Sequence, residues 1–550
     1  MGLIHQRQAA VVVGWAMAAG AATAAGLAEG DARRFLSQAS FGPTDASVAE
    51  LVASGKDAWL QKQFSLRSAD YKGLPYVDPN RSVGCPAGSP DTCGRDNYSL
   101  FPVQVQFFHN ALIGPDQLRQ RTALALSQIL VVSGQQIKLP YAMANYQRIF
   151  LNHAFGNFRT VLREVTLSPA MGKFLNMANN DKPNPAKGIA PNENYAREVL
   201  QLFSIGLWQL TLDGTPKLGA DGQPQPSYDQ EMVEGFAHAF TGWTYPPRPG
   251  AARSKFPNPS NFDGPMLPFA EHHDSAAKRL LNGVTLPAGQ SAVADLDAAI
   301  DNIFNHPNVG PFIGRQLIQQ LVTANPSPAY VARVAAAFNN AAAAPGNGPR
   351  TTVRGDLKAV LSAVLLDPEA ARPAAPERFG KLREPILQLT HLFRAMGGQS
   401  DGVWLRSQAA NLGQPIFSPP SVFNFFSPDQ DLPDDASLDG PAFGLFNASS
   451  AFKLSGIFSA ALNGKGVAPD ARVAGATGSK IDLGRWQALA ADPAALVKDI
   501  DRVLFAGRAS NPLQQALLKA AQIHPASKPL DRARSALFLA VMSPEYLVEN

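Results

Sequence analysis

The segment NENYAREVLQLFSIG carries two carboxylates and one guanidinium close together, in Glu193, Arg197 and Glu198. In a helix of about 3.6 residues per turn, Glu193 and Arg197 lie one turn apart, in the order that favours an ion pair, whereas Glu198 lies about 140° from Glu193. A helix start attracts anions, and an arginine one turn later can bind a carboxylate or sulfate-like group through two hydrogen bonds. Two interpretations remain open: a catalytic or anion-binding site, or a capped helix, with Asn192 as its cap, that carries a surface ion pair.

A second polar group lies in EMVEGFAHAFTGW, where Glu234 and His238 are four residues apart and share a helix face with Glu231. A carboxylate and an imidazole at this spacing could bind one divalent metal ion, which is the only cofactor class that the sequence suggests. The other interpretation is a half-exposed polar face with an internal Glu–His hydrogen bond.

A third group lies in FAEHHDSAAKRLLNG, which places His273, Asp274 and Lys278 within six residues. Histidine changes charge near neutral pH, so His273 could carry a proton while Asp274 orients it or binds a metal ion. The alternative is that Asp274 or Ser275 only caps a helix.

These groups suggest one cleft. We predict that Glu193, Arg197, His273 and Asp274 face each other, because the irregular, proline-rich segment 245–271 before the HHD sequence is long enough to fold back over the first helix. The alternative is a local Glu193–Arg197 pair and an exposed His273. A fourth acidic stretch, SPDQDLPDDASLDG at 427–440, could bind calcium but lacks the ordered spacing of an EF-hand, so a solvated acidic loop is the other interpretation.

Composition and missing motifs exclude several classes of protein. The net charge is +4 and only 17% of residues are charged, which does not indicate a nucleic-acid binder. No HExxH, Walker or GxGxxG motif in the required context occurs in the sequence. The common zinc proteases and nucleotide enzymes are therefore not indicated.

The N-terminus and the cysteines indicate export. An Ala- and Gly-rich apolar run ends near Ala22-Thr23-Ala24, which has the form of a signal-peptidase site, so residues 1–24 are predicted to be a signal peptide. An uncleaved anchor and an ordinary apolar helix are the alternatives; after signal removal no stable membrane span is expected. Cys85 and Cys93 are the two cysteines and are predicted to form a small loop disulfide, with two free thiols as the alternative. Both features predict a secreted or periplasmic protein.

The elements that must position these residues are mostly helical. Apolar residues recur at spacings of three and four in most segments, so the sequence predicts a mainly α fold: one large multi-helix domain over residues 31–546, with long Pro-rich loops. Two lobes divided near 245–271 are an alternative organisation. Alternation over 207–212, followed by Asp213-Gly214, predicts a small β-hairpin insertion. The late segment ALFLAVM is apolar all round, and we therefore expect Leu539 to be a core residue.

Several segments, in order, carry a family resemblance: ARRFLSQASFGPT, LRQRTALALSQILVVS, NENYAREVLQLFSIG, HHDSAAK, HPNVGPFIGRQLI, GKLREPI, QPIFSPPSV and ALFLAVMSPEY. In combination they resemble the bacterial family called domain of unknown function 1800, over nearly the whole mature chain. Glu193, Arg197, Glu198, His273, Asp274 and Lys278 match motif positions. The sequence departs from the family pattern at His238, where an Arg is usual, and at Phe423-Asn424, where Gly-Trp is frequent.

The resemblance implies an exported protein whose activity is uncharacterised, and a partner that is another exported protein resembling sulfatases or phosphatases. Two functions follow from the residues. The first is a hydrolase-like enzyme that acts on an extracellular polymer or an anionic substrate, supported by the polar groups above. The second is a non-catalytic secreted binding or assembly partner, supported by the missing catalytic signatures and by the Phe- and Pro-rich loop 417–428.

Overall fold

The structure is a computed structural model that describes residues 26–251, 255–339, 353–371 and 379–549. The predicted signal peptide, residues 1–24, lies outside the described residues. No described helix is long and apolar enough to cross a membrane.

Helices make up most of the described chain. In the first half they are α1 (Glu29–Ala39), α2 (Asp45–Ser54), α3 (Lys56–Ser65), α4 (Arg81–Gly84), α5 (Cys93–Tyr98), α6 (Phe101–Ile113), α7 (Gln117–Ile129), α8 (Pro140–His153), α9 (Phe158–Leu167), α10 (Pro169–Phe174), α11 (Asn194–Gln201) and α12 (Gln230–Ala239). In the second half they are α13 (Ala292–Phe304), α14 (Val309–Leu321), α15 (Pro328–Phe338), α16 (Leu357–Leu365), α17 (Pro385–Ala395), α18 (Val403–Asn411), α19 (Ala448–Ala461), α20 (Gly484–Leu489), α21 (Pro493–Leu504), α22 (Asn511–Gln522), α23 (Pro529–Met542) and α24 (Pro544–Leu547).

The strands of the described residues are short and pair two by two. They are β1 (Trp243–Thr244), β2 (Leu267–Pro268), β3 (Lys278–Arg279), β4 (Thr285–Leu286), β5 (Lys381–Leu382), β6 (Gln399–Ser400), β7 (Asp431–Leu432), β8 (Asp435–Asp439), β9 (Ser479–Lys480) and β10 (Val548–Glu549). Every pair is antiparallel: β1–β2, β3–β4, β5–β10, β6–β9 and β7–β8. The prediction of a mainly α fold is confirmed, and the acidic stretch at 427–440 contains the β7–β8 hairpin.

Helices that are neighbours in the sequence also pack against each other, as in α7–α8, α14–α15 and α22–α23. Their apolar faces join one buried cluster that runs from Ala32 to Leu547. The Pro-rich segment 245–271 contributes Tyr245, Phe262 and Met266 to the same cluster, so this segment covers part of the core. The division into two lobes near 245–271 stays a prediction.

Local sequence explains where several helices begin and end. Thr44 and Ser47 form reciprocal hydrogen bonds at the start of α2, which satisfies amide groups that a helix start otherwise leaves unpaired. Gly55 separates α2 from α3 because its φ is 78°, a conformation that glycine adopts without steric cost. Residues 45–65 therefore form two helices instead of one.

Residues 207–227 form the predicted β insertion. Its extended segments are joined by isolated β-bridges instead of a continuous ladder of backbone hydrogen bonds. The bridges pair Trp208 with Pro226, Leu210 with Pro216, and Leu218 with Pro224. Proline has no amide hydrogen to donate, which stops a ladder from extending. The backbone bonds close a ring instead: the Gln209 amide donates to Gln225, Lys217 to Gln209, and Gln225 to Lys217, at 2.7–2.9 Å.

Helix α23 is less uniformly buried than its sequence indicates. Leu537 and Val541 are fully buried, whereas Leu539 is 36% exposed. The helix packs against α20, α21 and α22 on one side, and residues two apart on a helix point in different directions. The expectation that Leu539 is a core residue is therefore wrong, and Leu537 has that position.

Candidate functional site

The predicted Glu193–Arg197 ion pair is present at the start of α11, and Gln230 links it to α12. Arg197 Nη2 lies 2.7 Å from Glu193 Oε2. Gln230, the first residue of α12, donates to both oxygens of Glu193 at 3.0 and 3.1 Å and to Glu234 Oε1 at 3.2 Å. These side chains are partly exposed, so the geometry resembles a surface network that links α11 to α12.

Glu198 differs from Glu193 because its side chain turns toward the protein interior. Its Oε2 atom is buried and has no hydrogen-bond partner among the described residues. Burial raises the pKa of Glu198, although the nearby Arg197 guanidinium partly opposes this effect.

His238 and Asp274 form the second contact among the predicted residues. His238 Nδ1 lies 2.5 Å from Asp274 Oδ2. Burial alone would raise the pKa of Asp274, but hydrogen bonds from the Ala276 amide and from His238 hold it below its ordinary value. Glu234 is bonded to Gln230, so the structure pairs the imidazole with Asp274 instead of with Glu234. In the described ranges, no group of three or more His, Cys, Asp or Glu side chains is arranged to hold a metal ion.

His273 and Lys278 belong to a buried network around Asp295, a residue that the sequence did not single out. Asp295 Oδ2 lies 2.7 Å from Lys278 Nζ and 2.9 Å from His273 Nε2. The side chains are 0–3% exposed. The other ring nitrogen of His273 lies 3.0 Å from the Thr241 carbonyl oxygen. These partners link α12, α13 and β3, although the other oxygen of Asp295, Oδ1, is buried without a partner among the described residues.

The residues predicted to face one cleft therefore form separate clusters. Gln230 contacts Glu193 at one end of α12, and His238 contacts Asp274 near the other end. Eight residues of helix separate these contacts, which corresponds to about 12 Å along the axis. Adjacent residues His273 and Asp274 turn to different partners, Asp295 and His238. None of the four lines either of the two large cavities described below.

A cavity with both polar and apolar walls lies elsewhere, and we call it the Lys381 cavity. Its volume is about 360 Å³. It lies between the ends of α7 and α11, the 207–227 insertion, helix α14, the β5–α17 junction and the loop 422–429. These elements are far apart in the sequence and meet only in the folded protein.

Glu384 lies on the polar side of the Lys381 cavity. Gln128 Nε2 donates to both of its oxygens at 3.1 and 3.2 Å, and Gln414 Nε2 donates at 2.7 Å. Because the carboxylate can only accept, these bonds also fix the orientation of the Gln128 amide.

Two glutamine oxygens at the Lys381 cavity have no protein donor. The Gln128 Oε1 atom is buried and has no partner among the described residues. Gln319 donates its amide hydrogens to the Ala324 and Pro428 carbonyls and to Asp439, and its Oε1 atom is also buried without a described partner. The two residues are 8% and 7% exposed. A buried acceptor without a donor costs about 1–3 kcal/mol.

Lys381 adds a titratable cation to this cavity. Its ammonium group donates to the Gln320 carbonyl, as does the Arg121 guanidinium. Burial, and then the positive charge of Arg121, lower the pKa of Lys381 to about 8. Strand β5, which carries Lys381, is held by its pairing with β10.

The mouth of the Lys381 cavity is apolar. Trp208 is 43% exposed and Phe423 is 51% exposed. Phe312 and Phe426 also line the cavity and are packed against the core. Aromatic side chains in this position offer flat apolar faces next to the polar interior.

Sequence reasoning did not identify Lys381, Glu384, Gln128 or Gln319 as site residues. The sequence offered two weak signals. One was the charged stretch KLRE within GKLREPI, in a chain of low charge, and the other was Phe423, where the sequence departs from the family pattern. Glutamines carry no distinctive pattern, so their convergence was visible only in three dimensions.

Cys85 and Cys93 are joined by a disulfide bond, with their Cα atoms 5.9 Å apart. The bond closes the loop that leads into α5, because Cys93 is the first residue of that helix. The predicted pairing is therefore present in the structure.

The comparisons with known proteins identify a family and nothing more specific. A family model described as "Protein of unknown function (DUF1800)" matches residues 34–548. No curated protein and no solved structure matches the chain. Since the match covers the motifs that carried the resemblance and nearly all of the described fold, the chain belongs to the DUF1800 family.

Proposed function

We propose that this chain is an exported protein that binds an extracellular polymer of polyhydroxylated units, such as a polysaccharide, in the Lys381 cavity. The observation that carries the proposal is the lining of this cavity, which sets glutamine and glutamate side chains beside the exposed rings of Trp208 and Phe423. Sugar hydroxyls donate hydrogen bonds, and the C–H face of a sugar ring packs on aromatic side chains such as Trp208 and Phe423. The cavity offers both kinds of contact.

Size and charge support the same class of ligand. Ligand sites usually enclose about 300–1,000 Å³, and the cavity volume of about 360 Å³ lies near the lower end of that range. This space suits one or two units of a chain whose remainder stays outside. The charged side chains that line the cavity, Lys381, Arg315, Glu384 and Asp429, add donors and acceptors that can bind sugar hydroxyls.

Export is part of the proposal. The apolar run before residue 25 and the disulfide between Cys85 and Cys93 support it, because disulfides persist in oxidising compartments. The non-catalytic role as a partner of another exported protein, one that resembles sulfatases or phosphatases, is compatible with polymer binding: the chain would hold the polymer for the partner.

A second candidate function is hydrolysis of the same polymer, and one observation favours it. Lys381, whose pKa is about 8, and Glu384 line one cavity. Perturbed titratable groups are concentrated at catalytic sites. In this function Glu384 would activate water as a general base and the Lys381 ammonium would protonate the leaving group.

The test of binding uses the mature protein and a panel of soluble polysaccharides in isothermal titration calorimetry. Gln316 is the most useful position, because its Nε2 atom is buried at the cavity without a described partner. Gln316→Leu should leave the fold intact and weaken binding by up to about tenfold, since one neutral hydrogen bond contributes about 0.5–1.5 kcal/mol. Phe423→Ala should weaken binding as well.

The matched control is Gln136→Leu, an exposed glutamine that does not line the cavity. Unchanged affinity in Gln316→Leu and Phe423→Ala, with a polymer that does bind, would place binding elsewhere. Hydrolysis is tested separately by measuring new chain ends, with Glu384→Gln as the variant. Binding without new chain ends supports the first function and rejects the second.

A further inference from the structure

A second large cavity lies away from the Lys381 cavity, and we call it the Arg406 cavity. Its volume is about 680 Å³, and it lies between α5, the start of α6, α18 and the loop 467–478. A neighbouring cavity of about 380 Å³ meets it at Arg95 and Phe101. The Lys381 cavity and the Arg406 cavity share no lining residue.

Two guanidinium groups flank one aromatic ring in the Arg406 cavity. Arg95 lies 4.5 Å from the centroid of the Phe101 ring, and Arg406 lies 5.1 Å from it. Such contacts hold an arginine in place while leaving its N–H groups free to bind in the plane of the guanidinium. The two arginines differ in their remaining partners.

Most charges in the Arg406 cavity are already paired. Arg95 binds Asp96 through Nε and Nη2, and Arg472 binds Asp470. Asp401 accepts hydrogen bonds from the Val403, Thr477 and Gly478 amides. These charges are therefore already matched by groups of the protein itself.

Arg406 is different, because none of its contacts within the described residues is with a carboxylate. Its Nε atom donates to Gln104 Oε1 at 2.7 Å, and this hydrogen bond orients the guanidinium. Burial lowers the pKa of Arg406, which means that the positive charge has lost hydration without gaining a counter-ion. Trp404, two residues before Arg406, lines the same cavity and presents an apolar ring with an indole N–H.

We propose that the Arg406 cavity binds a carboxylate group carried on an apolar body. The two terminal nitrogens of Arg406 would hold the two carboxylate oxygens, and Phe101 and Trp404 would contact the apolar part. A planar guanidinium matches a carboxylate with two parallel hydrogen bonds, and this geometry is stronger where water is partly excluded. The ligand and the place are both distinct from the polymer and the Lys381 cavity of the proposed function.

The experiment compares 3-phenylpropionate with 3-phenylpropionamide, a neutral compound of nearly the same shape, by ligand-observed NMR on the mature protein. The acid should bind at least tenfold more tightly than the amide. Because this comparison uses the unchanged protein, it does not depend on the folding of any variant. Equal binding of both compounds, or binding of neither, would overturn the proposal.

Variants then place the site. Arg406→Lys keeps the charge but not the two parallel hydrogen bonds, and should weaken binding of the acid about tenfold or more. Arg472→Gln is the matched control, because Arg472 lines the same cavity but is 84% exposed and paired with Asp470; it should bind the acid within twofold of the original protein. Unchanged binding in Arg406→Lys would overturn the assignment to Arg406.

A short peptide that ends in phenylalanine, with a free or an amidated C-terminus, distinguishes the source of the carboxylate. Tighter binding of the free-acid peptide than of 3-phenylpropionate identifies a peptide end, and the reverse order identifies a small acid. Either order supports the proposal, provided that the amidated peptide binds at least tenfold more weakly than the free acid.

Discussion

Asp295 allows a sharp test of whether His273 and Lys278 belong to a network that stabilises the fold. Asp295 is fully buried and holds Lys278 Nζ at 2.7 Å and His273 Nε2 at 2.9 Å. Replacing it by Ala leaves a lysine with a 1% exposed side chain without its counter-ion. Removing one partner of a buried ion pair costs about 3–5 kcal/mol. We therefore expect Asp295→Ala to lower the free energy of unfolding by about this amount.

The assay is urea unfolding followed by far-UV circular dichroism, with the midpoint and slope compared between variants. Asp297→Ala is the matched control, since Asp297 lies on the same helix and pairs with Arg163 with both side chains 34% exposed. Its loss should be below about 1 kcal/mol, because surface ion pairs contribute little.

A loss below about 1 kcal/mol in Asp295→Ala would refute this reasoning. It would mean that Lys278 can reach solvent or release its proton at little cost, and the assignment of His273 to a buried structural network would fail with it. His273 would then be free to act as the proton carrier that the sequence suggests.

Three further predictions concern stability and the remaining candidate residues. Leu537→Ala should cost about 2–5 kcal/mol and Leu539→Ala clearly less in the same urea assay, because only Leu537 is fully buried. Burial lowers the pKa of His306 from its ordinary 6.5 to about 4. Between these two pKa values the unfolded chain therefore binds more protons than the folded one. The stability contributed by neutral His306, roughly 3 kcal/mol at most, is present above pH 6.5 and is lost as the pH falls toward 4. His306→Gln should flatten the rise of the free energy of unfolding with pH, measured in unfolding curves from pH 4 to 7. Glu193→Gln should change stability by less than about 0.5 kcal/mol and leave polymer binding unchanged, whereas a loss of binding in calorimetry would support Glu193 as a site residue.

Local patterns were predictable from the sequence, and long-range ones were not. The Glu193–Arg197 pair follows from helical spacing alone, and the Cys85–Cys93 bond joins residues only eight apart. By contrast, the partner of His273 is Asp295, on another helix 22 residues further on. Nothing in the sequence distinguishes Asp295 from its neighbours Asp297 and Asp301. Only its burial in the folded protein does so.

The Lys381 cavity also depends on long-range contacts that the sequence does not reveal. Its groups come from positions between 128 and 442, and each is an ordinary residue within its own helix or loop. Only the packing of α7, α14 and the β5–α17 junction brings Gln128, Gln319 and Glu384 together. Periodicity predicts which face of a helix is buried, but it does not predict which faces meet.

The pairing of β5 with β10 has a consequence for the order in which the protein can fold. Strand β10 and the Tyr546 carbonyl hold Lys381 and Arg383 in place, so the wall of the cavity that carries Lys381 depends on residues 546–549. A chain that emerges from a ribosome or a translocation channel N-terminus first presents these residues after all the other cavity elements. The earlier helices can pack as they emerge, but the wall that carries Lys381 is complete only after residue 549 has been delivered, so under the proposed function a partly delivered chain would not capture the polymer.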